Sequence, residues 1–200
     1  MRRNALLTVS TLALILFAAS AVAQAAPPAA DSLKVDYFEY AHTAGVPDGT
    51  LRLTNPGTTG TDMCAAIYVF EPNQEMMECC SCLVSPNGLR TLSVNTDLTN
   101  NPIVGHITLT TGSISIVSTP TVSAACPLPT TLAPASGGVR AWVSHMDHLR
   151  SGTTGGFLGS VAVSPDATFS SGQQELLQTD CTDISLVGTG AGVCTCGTGD

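Results

Sequence analysis

Charge is what this chain has least of. Only 11% of its 200 residues are Asp, Glu, Lys or Arg, and only seven are cationic. Two of those, Arg2 and Arg3, stand at the very start. The other five are Lys34, Arg52, Arg90, Arg140 and Arg150, spread singly against fifteen acids. A sparse and net-negative surface repels phosphate backbones and anionic lipid, which excludes a nucleic-acid or acidic-membrane partner. Aromatic residues make up 4% of the chain, with one tryptophan. That is little for a sugar-binding surface built on stacked rings. Catalytic signatures are missing too. There is no Gly-x-Ser-x-Gly elbow, no Ser-x-x-Lys and no His-Glu-x-x-His. Gly188-Thr-Gly-Ala-Gly192 lacks the spacing, the helix and the βαβ frame of a dinucleotide loop. The expectation is therefore no catalytic residue and no cofactor.

The front of the chain reads as an export signal. Met1-Arg2-Arg3 is basic, Leu6 to Ala23 is apolar or small, and Ala21-Val22-Ala23 and Ala23-Gln24-Ala25 are cleavage-type patterns. The reading is a cleaved signal peptide over 1–25, a flexible Pro/Ala-rich leader over 26–32, and one domain over 33–200. Cleavage leaves roughly 175 residues with a net charge of about −10. No second long apolar run follows, so no transmembrane span is expected after cleavage. The place of such a protein is secreted or periplasmic.

The eight cysteines are Cys64, Cys79, Cys80, Cys82, Cys126, Cys181, Cys194 and Cys196. All lie beyond the signal, so in an oxidising compartment they read as up to four disulfides. Eight cysteines allow 105 complete pairings, and spacing alone does not choose among them. Alternation along a strand does say that Cys80 and Cys82 face one way and Cys79 the other. Cys181, Cys194 and Cys196 would tether a Gly-rich tail, by a loop of their own or by a bridge back to Cys79–Cys82.

Thr, Ser, Val and Gly dominate the rest, a composition that favours strands. Segments 33–40, 50–55, 64–70, 74–82, 89–95, 139–145 and 157–163 read as strands between turn signals. In the first, Leu33, Val35, Tyr37 and Glu39 share a face. Val104–Thr110 and Ser113–Ser118 read as a hairpin about Thr111-Gly112. Residues 120–134 read as a crossover between sheets, and 171–178 as the one helix, capped by serine. The predicted fold is all-β, an antiparallel β-sandwich, immunoglobulin-like or related, with disulfides and that one short helix.

Two clusters carry possible metal chemistry. Met76-Met77-Glu78-Cys79-Cys80-Ser81-Cys82 combines thioether and thiol, which suits Cu(I), but lacks the paired spacing of a zinc site. His145 and His148 could share copper or zinc if they sat on a helical turn. His42 and His106 are isolated. Asn95-Thr-Asp97-Leu-Thr-Asn100-Asn101 is oxygen-rich, yet lacks the glycine and closing glutamate of an EF-hand, and an Asx-rich turn accounts for it.

Leu51-Arg-Leu-Thr-Asn-Pro-Gly57, and the stretch from Cys64 through Cys82 to Leu92-Ser-Val-Asn95, resemble a group of uncharacterised secreted bacterial Cys-rich proteins found notably in acidobacteria. The first motif is also similar to the openings of immunoglobulin-like bacterial surface modules. The resemblance implies export and no assigned activity. The leading expectation is a non-enzymatic structural or adhesive protein, partnered by envelope components or by itself. A metal-binding module and a hydrolase using dispersed carboxylates are the alternatives.

Overall fold

The computed structural model describes residues 32–103, 108–131, 135–149, 155–186 and 190–197. Residues 1–31, read above as a signal peptide and most of a leader, and His106 and Arg150 lie outside them. Among the described residues nine strands form two antiparallel sheets. The first has the order β4-β3-β6-β1-β9, from Met76–Val84, Met63–Phe70, Gly112–Pro120, Leu33–Phe38 and Asp166–Ala167. The second has the order β5-β2-β7-β8, from Leu89–Ser93, Thr50–Thr54, Arg140–Leu149 and Gly156–Val163.

The sheets pack face to face in a sandwich-like arrangement. Ala65, Ile67, Val69, Ile114 and Ile116 of the first meet Leu51, Leu53, Leu92, Ala141 and Val143 of the second. A further layer covers the outside of the first sheet. Helix α1, Ser171–Ser185, sets Leu177, Cys181 and Ile184 against Leu33, Ala66, Tyr68 and Val117. The spacing of those three residues is one helical face. Strand β3 is thus covered on both sides, which explains its unbroken run Met-Cys-Ala-Ala-Ile-Tyr-Val. Ser170 caps α1 by accepting from the Gln173 N–H, and the helix continues seven residues past the predicted 178.

Two expectations need correction. The hairpin about Thr111-Gly112 is not seen: residues 104–107 of its first arm lie outside the described residues, 108–110 are not strand, and β6 is paired on both sides, with β1 and β3. Both ladders of β6 are taken, so a local return strand has nowhere to bind. Gly112 is the residue this packing requires, because a Cβ there would collide with the Phe70 carbonyl oxygen and the Phe38 ring. Secondly, β5 ends at Ser93, and Val94–Leu98 forms a helical turn instead of continuing the strand. The crossover is observed as expected: residues 121–139 join β6 to β7 in the other sheet.

All eight cysteines are paired: Cys64–Cys126, Cys79–Cys181, Cys80–Cys194 and Cys82–Cys196. Cys79 points outward to α1, while Cys80 and Cys82 point to the tail, as strand alternation requires. The tail does not close a loop with Cys181; each of its two bridges returns to β4.

Candidate functional site

A sheet exposes unpaired backbone N–H and C=O groups at its edges. Among the described residues there are four such edges, and β8 is the longest that nothing covers. Edge β4 is covered by residues 190–196: the Cys79 N–H donates to the Gly192 carbonyl at 2.9 Å, and the Cys194 N–H donates to the Cys79 carbonyl at 3.3 Å. The same tail reaches edge β5, where Arg90 Nη1 donates to the Cys196 carbonyl at 2.9 Å. The third edge, β9, is only two residues long and carries Asp166, paired to Lys34 at 2.6 Å.

The fourth edge is β8. Among the described residues nothing pairs with it, and it is open along eight residues, Gly-Phe-Leu-Gly-Ser-Val-Ala-Val. Leu158, Val161 and Val163 are 53%, 60% and 63% exposed. These residues project to both sides of the strand, so neither of its faces is covered. No charged residue or proline interrupts it, which are the usual guards of an edge. Its lack of strict apolar–polar alternation is the one sequence signal that it is not half-buried like its neighbours. Its open edge depends on topology, which that pattern does not carry.

Beside β8 lies a groove of about 510 Å³, lined by Tyr37, His145, Asp147, Ser160, Ala162 and neighbours. Its wall is held by a buried polar network. Asp36 Oδ2 accepts from Ser164 Oγ at 2.6 Å, and Asp36 Oδ1 lies 3.2 Å from His145 Nε2 and accepts from the Tyr37 N–H at 2.9 Å. The Tyr37 ring rests on the His145 ring with centroids 4.2 Å apart. The carboxylate sits between serine and histidine. In a hydrolytic triad the histidine takes that place, so this network ties β1 to β7 and is not set up for nucleophilic attack. A second groove, about 570 Å³, contains Tyr37, Phe70, Glu39 and Glu71.

The residues singled out for metal chemistry are dispersed. Met76 and Met77 are buried in different clusters, one beside α1 and the other between the sheets. His145 and His148 lie on strand β7, not on a helical turn, so their three-residue spacing turns them to opposite faces. His145 is buried against Asp36, whereas His148 is exposed and meets the edge of Phe157. Among the described residues no cysteine is free. The oxygen-rich stretch is consumed locally: Asp97 accepts from the Ser93 N–H and Thr195 Oγ1, and Asn95 accepts from the His42 N–H.

One ionisable group gives no sign of itself in the sequence pattern. Glu78 on β4 is fully buried, with Oε1 accepting from the Asn101 N–H at 2.8 Å and Oε2 without a partner. Burial pushes its carboxyl up to about 8, against a smaller lowering by the Asn101 bond.

No family model matches the chain, and no curated protein matches it. The crystal structure of Thermotoga maritima 1070 is 12% identical over 72% of this chain and 98% of its own, with a TM-score of 0.42.

Proposed function

We propose that this protein is a secreted, non-enzymatic structural or adhesive component of the cell envelope or exterior, and that it self-associates by adding strand to strand at β8. The observation that carries this reading is the open edge. Edge β4 is covered by the tail, β9 and β5 are short, and β8 is long, apolar and unguarded among the described residues. Backbone groups on such an edge bind another strand with little demand on side chains. A second copy is the occupant we favour. Two acidic chains repel at long range, but antiparallel pairing of β8 with β8 brings no charge of either copy into the ladder. The product is a two-fold, self-complementary interface and one continuous eight-stranded sheet.

Export is supported by the signal pattern of residues 1–25 and by four disulfides. No described helix is long and apolar enough to cross a membrane. The immunoglobulin-like likeness is read at the level of layers only. In the immunoglobulin constant-type order the first two strands are neighbours in one sheet. Here β1 and β2 lie in opposite sheets.

Light scattering on the size-fractionated mature chain tests the proposal. The expected result is a dimer that Val161→Lys, or Leu158→Lys, converts to a monomer without loss of fold. A chain that is monomeric at every concentration overturns the assembly. Turnover on a panel of hydrolase substrates overturns the non-enzymatic reading.

A further inference from the structure

We infer that Cys80, Cys82, Cys194 and Cys196, when reduced, form a four-thiolate site for a thiophilic divalent cation of the zinc class. The juxtaposition comes from backbone register. Cys79 and Val193 form a parallel bridge, and the Cys80–Cys194 and Cys82–Cys196 pairs repeat the same offset of 114 residues. Two Cys-x-Cys segments therefore run side by side in extended conformation. Residues two apart on an extended segment point to one face, so the four sulfurs lie on one side, between β4 and the tail.

Three of the sulfurs, those of Cys80, Cys82 and Cys196, are already close enough for one metal, all within 4.8 Å of one another, and the fourth, that of Cys194, is bonded to Cys80. Zinc–sulfur bonds of about 2.3 Å in a tetrahedron put the sulfurs about 3.8 Å apart. Opening the two S–S bonds to that separation moves each bonded sulfur by about 1 Å. Cys80, Cys82 and Cys194 are buried and Cys196 partly so. Four thiolates in such surroundings repel strongly without a cation. This spacing differs from the Cys-x-x-Cys of common zinc modules. It replaces a turn with two strands.

The tail is also held by hydrogen bonds. The Gly192 N–H donates to the Asn101 carbonyl at 2.7 Å, the Thr195 N–H to the Asp97 carbonyl at 2.9 Å, and Arg90 to the Cys196 carbonyl at 2.9 Å. Reduction is a balanced exchange with a dithiol. Each S–S bond takes two electrons and two protons, and each dithiol leaves as its cyclic disulfide. Binding of the cation then releases the thiol protons. Cystine and metal forms exclude each other, so the same four residues report the redox state of their surroundings.

Cobalt titration reads the site directly. The full mature chain is reduced with a phosphine under nitrogen, freed of the phosphine and titrated with Co²⁺. One Co²⁺ per chain with the ligand-field spectrum of a tetrahedral tetrathiolate, displaced by Zn²⁺, is expected. The Cys82→Ser/Cys196→Ser variant loses that spectrum. The Cys64→Ser/Cys126→Ser variant, with its sulfurs elsewhere in the fold, keeps it. Absence of stoichiometric binding by the reduced chain overturns the site. So does an unchanged spectrum in Cys82→Ser/Cys196→Ser.

Discussion

Cys79 faces Val193 across a parallel bridge, at the offset that the Cys80–Cys194 and Cys82–Cys196 disulfides repeat. The tail is therefore a strand-like cover stitched in register to β4. It closes one side of the sandwich by touching both β4 and β5. The opposite side, ending in β8, has no such cover among the described residues.

The two tail disulfides are expected to contribute unequally. With Cys79–Cys181 intact, either bridge closes a loop of about 15 residues, worth about 3 kcal/mol in the chain-entropy model. Once one is present the other closes a loop of only about five residues, worth about 2 kcal/mol in the same model. Removing Cys82–Cys196 alone by paired alanine substitution should cost about 2 kcal/mol, and removing both pairs about 5 kcal/mol. Denaturant unfolding of the two variants checks this. Equal, additive losses would show that the tail is not held in register.

Stability should fall as pH rises from about 4.5 to about 8. The folded Glu78 carboxyl titrates near 8, above its ordinary value of 4.5. Between those values the folded state holds a proton that the unfolded chain has lost, so raising pH favours unfolding. A tenfold difference in proton affinity between the two states corresponds to about 1.4 kcal/mol, which makes the whole effect on the order of a few kcal/mol. Glu78→Gln keeps the bond from Asn101 and carries no charge. Its thermal midpoint should stay flat over that window while the parent's declines. Parallel curves for the two proteins would contradict the assignment.

The Asp36 network should behave as structure. Asp36→Ala or Ser164→Ala leaves a buried partner unsatisfied and should destabilise by about 1–3 kcal/mol. Thermal unfolding measures it. The oligomeric state of the folded variants should not change, because β8 contributes no side chain to the network.

Much of this architecture was legible in the sequence. The double-sided burial of β3 follows from its unbroken apolar run, and the split of Cys79 from Cys80 and Cys82 follows from strand alternation. What was hidden depended on partners far along the chain. On β1, Leu33, Val35 and Tyr37 share a face, as read, yet Tyr37 is half-exposed. The opposite face carries Lys34, Asp36 and Phe38, and all three are buried. Lys34 and Asp36 look like a solvent face until Asp166 and Ser164 arrive, 132 and 128 residues later, to satisfy them. The helical spacing of His145 and His148 misled for a related reason. Strand β7 continues past His145 because β8 pairs with it through Leu149.

Hydrogen exchange offers the sharpest view of β8. Every second amide of an edge strand bonds its neighbour, and the alternate amides face outward. In β8 the inward set is held by β7, through the register from Trp142–Val163 to Leu149–Gly156. The outward set should exchange at nearly the rate of free peptide in dilute protein, since water reaches it directly. Raising the protein concentration should protect that outward set selectively if a second copy's β8 seats on the edge. The inward set should scarcely change. Val161→Lys should abolish the concentration dependence while leaving the inward protection intact. Protection of the outward amides that is already complete in dilute monomer would mean the edge is filled from within the chain, and strand addition by a second copy would be ruled out.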